Sequence, residues 1–155
     1  MLRSLLLLLF PALLSAQGIQ FEHESWSATL AKAKSAGKII FVDAYTVWCG
    51  PCKAMARDVF TDASVGSFYN ANFLNVKMDM EHGEGLEVST RYKIWVYPSL
   101  LFVDGDGNIV HRSTGYQDAT QFMALGKTAL DPAKNLAALE RRYAAGERGA
   151  PFMLD

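Results

Sequence analysis

The 155-residue chain contains two cysteines, and both fall in one five-residue stretch, Trp48-Cys49-Gly50-Pro51-Cys52. An apolar run, Ile39-Ile40-Phe41-Val42-Asp43-Ala44-Tyr45, precedes it, and a helix-forming stretch, Lys53-Ala54-Met55-Ala56-Arg57, follows. Two thiols therefore sit where a strand hands over to a helix. Thiol–disulfide exchange needs one thiolate to attack and a second thiol to resolve the mixed disulfide. At a helix start, unpaired backbone N–H groups and the helix dipole favour an anion, so the Cys49 thiol is expected to titrate below the free-thiol value of about 8.5. Cys52, about one turn in, is expected to be the more buried and to resolve. Pro51 suits the first turn, where a missing N–H costs nothing, and Gly50 leaves the approach open to a partner chain.

Two plainer readings compete. A structural zinc site needs four ligands; there is no second cysteine pair, and His23, His82 and His111 lack ligand spacing. An inert disulfide is the stronger rival, because exported chains keep disulfides. A bond closing so short a loop, however, restrains the unfolded chain little.

Half of the residues are apolar, which predicts one domain with a sizeable core. A formal charge of -1 gives no reason to expect nucleic acid or an anionic membrane surface as a partner. The opening residues carry Arg3, an apolar stretch from Leu5 to Leu14, and small residues at Ser15-Ala16. That pattern reads as a secretory signal over residues 1–16, cleaved near Ala16 or, as a fallback, after Gly18. The run is too short to span a bilayer, which takes about 20 residues, although an uncleaved anchor is the alternative. The mature chain is expected in an oxidising compartment, periplasmic or secreted.

Periodicity predicts a helix over 24–36, with Trp26, Leu30 and Ala33 on one face, and a doubly buried strand over 38–45. Helices follow from Cys49 to about Asp58 and from about Ala63, with Asp62 as N-cap. Strands are expected at 73–80, 99–103 and 109–112, the last two joined by the turn cluster Asp104–Asn108. A helix is expected over 84–92, and another after Asp118 to Leu130, with Phe122, Met123 and Leu125 facing in. A final amphipathic helix is expected from about Ala133 to Ala145, followed by a loop or end over 146–151. Strands alternating with helices and closed by a hairpin predict an α/β fold, a mixed central sheet covered on both faces.

Over residues 22–130 the chain resembles the thioredoxin family. The Trp48–Lys53 stretch W-C-G-P-C-K carries the resemblance, supported by Asp43, Val76-Lys77, Tyr97-Pro98-Ser99-Leu100 and Gly115. Val59-Phe60-Thr61-Asp62 and Phe102-Val103-Asp104-Gly105-Asp106-Gly107 resemble the C-terminal periplasmic domain of DsbD-type transporters and related secreted proteins. The resemblance implies a thioredoxin-like domain over 17–131 and leaves 132–155 as a helical extension without a counterpart in a minimal thioredoxin. It implies that Asp43 is a buried carboxylate with a raised pKa, able to take the proton of Cys52, and that Lys77 tunes it. It implies a cis bond before Pro98, with the Tyr97 backbone pairing to an extended substrate. Thioredoxins usually carry a smaller aliphatic residue at Tyr97, so partner choice is expected to differ. Trp48 would shield the thiols; core packing is the alternative for Trp48 and Tyr97, and a solvent-facing strand end for Asp43. Trp95 is expected at the core or rim, and the three histidines are expected to be exposed.

The resulting expectation is a monomeric protein-disulfide reductase with catalytic Cys49, Cys52, Asp43 and Lys77. Trp48, Gly50, Pro51, Tyr97, Pro98 and Gly115 form its substrate surface. Its cofactor is none beyond the Cys49–Cys52 disulfide, it holds no metal, and its partners are protein or peptide thiols and a membrane-borne electron donor. A disulfide oxidase or isomerase, and a non-catalytic peptide-binding module, stand as alternatives.

Overall fold

The computed structural model describes residues 18–148; the signal segment at 1–16 and the end of the expected 146–151 loop lie outside the described residues. Six helices and four strands follow one another as α1 (Trp26–Ala36), β1 (Ile39–Tyr45), α2 (Gly50–Asp58), α3 (Ala63–Asn72), β2 (Phe73–Asp79), α4 (Gly85–Tyr92), β3 (Ser99–Val103), β4 (Ile109–Thr114), α5 (Ala119–Leu130) and α6 (Leu136–Ala144). The sheet order is β2-β1-β3-β4; β1 runs parallel to β2 and antiparallel to β3, and β3 is antiparallel to β4. This is the mixed sheet with helices on both faces that the alternation of elements predicts.

Period-two alternation along β1 divides the core in two. Ile40, Val42 and Ala44 pack with Trp26 and Ala33 of α1 and Val88 and Tyr92 of α4. Phe41 faces the other way, into Met55 of α2, Val65 and Tyr69 of α3, and Phe122 and Ala129 of α5. Aromatic rings fill this second layer: Tyr69 stacks on Phe122 at 4.2 Å, and its hydroxyl donates to the Phe122 carbonyl at 2.7 Å. Asp43 is two residues beyond Phe41 and so shares the α2 side of the sheet. Lys77, two residues beyond Asn75 and four beyond Phe73, reaches the same side from β2.

Local chemistry sets the element ends. Ser25 caps α1, Asp62 caps α3 through the Ser64 and Val65 N–H groups, and Asp118 and Gln121 form a capping box on α5. The last helix begins at Leu136 rather than near Ala133, because the Asn135 side chain accepts from Ala138 N–H and fixes the start there. The preceding residues are held in a turn, with Asp131 accepting from the N–H of Ala133. Strand β4 extends to Thr114, two residues further than expected, through pairing with Ser99. Met123 and Leu125 are only partly buried beside Phe122.

Two further placements correct the sequence reading. Trp95, expected at the core or rim, is 81% exposed, which excludes the core placement, because it lies in the irregular link between α4 and β3. His111 is half-buried rather than exposed: α6 folds against β4, and the Leu136 N–H donates to His111 Nδ1 at 3.2 Å. An unforeseen feature is the segment before α1, which lies along β2, one of the two outer strands of the sheet. Glu22 bridges Val76, and its N–H donates to the Asn75 carbonyl at 2.7 Å. An otherwise open strand edge is thereby occupied.

Candidate functional site

The handover from β1 to α2 brings the two sulfurs together. Cys49 is the N-cap of α2, Gly50 and Pro51 make its first turn, and Cys52 lies within that turn. The sulfurs are bonded at 2.02 Å, and Cys49 Sγ accepts a hydrogen bond from the Cys52 N–H at 3.1 Å. A helix N-terminus presents such unsatisfied donors to whatever sits at the cap, and it favours negative charge there. Contrary to expectation, Cys52 is not the more buried: both cysteines are 3% exposed. The disulfide holds Cys49 Sγ down against the first turn of the helix. Gly50, beside it, is exposed and open.

Beneath the disulfide helix, on the same side of the sheet, sits Asp43. It is 1% exposed, and neither carboxylate oxygen has a hydrogen-bond partner. Burial pushes its pKa up to about 7, and the Lys77 ammonium, with Nζ 3.8 Å from Oδ2, pulls in the opposite direction. Lys77 also lies 4.8 Å from the centre of the Tyr45 ring. A cavity of about 210 Å³ is lined by Tyr45, Thr46, Val47, Cys52, Lys53, Ala56 and Lys77. The cavity therefore reaches from the residue that carries the second sulfur to the cation beside Asp43.

On the other flank, the Tyr97–Pro98 bond is cis. The Pro98 carbonyl accepts from the Gly115 N–H at 2.8 Å, so the two segments singled out far apart in the chain are tied together. Gly115 has φ 84°, a left-handed conformation that favours glycine. Trp48 is 63% exposed, so it is a surface residue rather than a core one. Its ring meets Tyr97 edge-on, centroids 5.9 Å apart and planes at 87°. Tyr97 is half-buried; burial, then the Glu81 and Asp79 carboxylates, raise its hydroxyl pKa. Exposed Val47, Trp95, Val96 and Tyr116 add apolar surface near Trp48, Tyr97 and Gly115 in the chain.

One residue at this rim escaped the sequence reading. Glu81, just past β2, accepts from the Trp48 indole N–H through both carboxylate oxygens, at 3.1 and 3.0 Å. The only sequence signal is a carboxylate four residues after Lys77, where the strand has just ended. Among the described residues no group of three or more His, Cys, Asp or Glu is disposed to hold a metal, and no helix is long and apolar enough to cross a membrane.

Comparison with known proteins places this geometry among relatives. The thioredoxin-like domain family matches residues 26–130. The thiol:disulfide interchange protein DsbD of Colwellia psychrerythraea is 35% identical over 97 residues, 60% of this chain and 16% of the relative. DsbD of Tatumella citrea is 30% identical over 113 residues, 70% of this chain and 20% of the relative. The chain thus spans a fifth or less of the length of these two DsbD proteins. A solution structure from Bacteroides thetaiotaomicron, described as a disulphide-isomerase, superposes with a TM-score of 0.67 at 40% identity, covering 76% of this chain and 97% of that one.

Proposed function

The chain belongs to the thioredoxin-like family as a disulfide oxidoreductase with a Cys49–Cys52 redox pair, and from that premise we propose that it reduces protein disulfides outside the cytoplasm. The observation that carries the reading is the disulfide at the N-cap of α2, above a buried Asp43 whose pKa lies near 7.

In the reduced form, the Cys49 thiolate attacks one sulfur of a substrate disulfide. The Cys49–substrate bond forms, the substrate S–S bond breaks, and the departing substrate sulfur takes a proton from water. Ionised Asp43 then accepts the proton of the Cys52 thiol. The Cys52 thiolate attacks Cys49 Sγ, the intramolecular disulfide closes, and the second substrate thiolate leaves and is protonated. Two electrons have passed from the dithiol to the substrate. Lys77 limits how far the Asp43 pKa rises. Trp48, Gly50, Pro51, Tyr97, Pro98 and Gly115 form the surface on which an extended substrate lies, and the backbone beside cis-Pro98 pairs with it.

The leader-like residues 1–16 support export, and the similarity to part of DsbD supports a membrane-borne donor that returns the electrons. A second reading, disulfide isomerisation, is favoured by the 40% identity to the structure described as a disulphide-isomerase. The reduction potential separates the two. The chain is equilibrated in graded thiol–disulfide buffers and its tryptophan fluorescence is followed. A value near about -270 mV, that of thioredoxin-type reductants, is expected. A value near about -180 mV or above, the range of isomerases and oxidases, overturns the reductase direction.

A further inference from the structure

We propose that the cavity bounded by β4, α5 and α6 is a binding site for a small organic anion, a carboxylate carried on a short apolar body. The site shares no residue with the disulfide, with the cavity at Cys52 or with the substrate surface, so it stands whether or not the reductase reading does.

The cavity measures about 480 Å³, within the range of small-molecule sites, about 300–1,000 Å³. β4 contributes His111, Arg112 and Ser113 to its wall, and α5 contributes Leu125 and Thr128. Lys134, in the link after α5, and Leu139 of α6 complete it. The family match ends at residue 130, so these last two belong to the extension. The hollow exists because α6 folds back onto β4.

The charge of the wall is one-sided. Its charged residues are Arg112 and Lys134, and no carboxylate lines it, although the whole chain carries a formal -1. Arg112 is half-buried and gives Nη1 to the Tyr92 carbonyl at 3.1 Å; among the described residues it forms no ion pair. Most of the five N–H donors of its guanidinium are thus left without a protein acceptor. Lys134 is exposed and meets Asp131 Oδ2 at 3.5 Å, a contact of the kind that contributes little in water. His111 adds a donor: its Nδ1 accepts from the Leu136 N–H, so the proton of the neutral ring sits on Nε2. The Ser113 and Thr128 hydroxyls can donate as well. A half-buried guanidinium is suited to bidentate pairing with a carboxylate, and such charge-assisted hydrogen bonds are the stronger kind. Leu125 and Leu139, both half-buried, line the same space. An inorganic anion would leave these side chains uncovered, whereas a carboxylate on a hydrocarbon body meets both halves of the wall.

The test uses octanoate as the probe and follows the methyl and backbone resonances of the oxidised chain at pH 7.5. A saturable shift is expected at Leu125, Leu139 and the β4 amides, with a Kd below about 5 mM. Acetate has the carboxylate without the body, and octylammonium has the body with the opposite charge; each is expected to bind at least about fivefold more weakly. Arg112→Gln is expected to weaken octanoate binding about tenfold, the worth of a charge-assisted hydrogen bond. Lys134→Gln, at an exposed position that carries no packing, is expected to weaken it about threefold. If Arg112→Gln loses its fold, Lys134→Gln decides alone. A Kd above about 5 mM, or acetate or octylammonium binding within about fivefold of octanoate, overturns the proposal. So does octanoate affinity within about twofold of wild type in the folded cation variants. Shifts centred on Val47, Trp48 and Trp95 also overturn it, since they would place the probe on the exposed apolar surface near the disulfide.

Discussion

Lys77 Nζ lies 3.8 Å from Asp43 Oδ2, across adjacent parallel strands whose pairing sets the two residues opposite each other. The lysine is partly exposed, while the carboxylate is sealed from water and has no hydrogen bond. One distant cation does not replace a hydration shell, so burial outweighs attraction and the carboxyl pKa rises to about 7.

That imbalance makes stability fall with rising pH. Asp43 in the unfolded chain titrates near 3.8, and in the folded chain near 7. The folded state binds the extra proton between those values, so the contribution is fully present below pH 4 and is lost as pH rises through 7. At about 1.4 kcal/mol per unit, the difference amounts to about 4 kcal/mol. Asp43→Asn is expected to be more stable than wild type by a few kcal/mol at pH 8 and equal to it at pH 4. Urea unfolding of the oxidised chain across that range checks this; parallel curves for the two proteins would refute a buried, proton-binding Asp43. Lys77→Met, which removes the cation that lowers the Asp43 pKa, is expected to move the wild-type step to higher pH.

The same carboxylate separates the two chemical steps of reduction. Cys52→Ser leaves the attacking thiol and is expected to accumulate a mixed disulfide with substrate, visible as a stable covalent adduct by mass spectrometry. Cys49→Ser is expected to form none. Asp43→Asn is expected to attack normally but resolve slowly, about 100-fold below wild type, the lower end of what a positioned base supplies. A normal resolution rate in Asp43→Asn would assign the proton to solvent instead. Either cysteine variant is expected to lose about 2 kcal/mol at most relative to the oxidised chain, since the closed loop is so short.

Much of this arrangement is local and therefore readable from the chain. A strand of Ile, Phe, Val and Ala with one Asp fixes that residue's face by alternation. Pro51, two residues after Cys49, marks the start of α2, and Asp62 and Asp118 mark the starts of α3 and α5. What escaped depends on contacts distant in sequence. His111 is covered only because α6 returns to β4, 25 residues later. Glu81 matters only because a turn brings it to Trp48, 33 residues earlier. Cys49 is buried in the closed disulfide, and residue spacing carries no redox state. Trp95 shows the opposite limit: residue type alone left core and rim open, and the link it occupies, which leaves it 81% exposed, excludes the core.

Gly115 offers a conformational test of the flank beside Pro98. Space is not the obstacle, since a Cβ there would meet nothing within 4 Å. The obstacle is φ 84°, which an L side chain adopts at a cost of about 1–2 kcal/mol. Gly115→Ala is expected to lower stability by that amount, and to weaken polypeptide reduction because the N–H donated to the Pro98 carbonyl shifts. Thermal unfolding and insulin reduction measured together check both parts. An unchanged melting temperature would mean that the backbone here relaxes freely.

His111 governs the hold on α6. Its Nδ1 accepts from the Leu136 N–H, which requires that nitrogen to be unprotonated, and burial lowers its pKa below the ordinary 6.5. The unfolded chain therefore takes up the proton first. The contribution is complete above pH 6.5 and is lost as pH falls through the lower folded-state value. His111→Ala removes the acceptor outright, and the loss of one such hydrogen bond is worth about 1 kcal/mol. Amide exchange over 136–144 is expected to quicken about fivefold in His111→Ala at pH 7.5, with the β1 and β3 amides unchanged. Wild type is expected to approach the variant's rates as pH falls through the lowered folded-state pKa of His111, once the intrinsic slowing of exchange is divided out. Equal protection of α6 in both proteins at pH 7.5 would show that packing against β4 alone holds the helix.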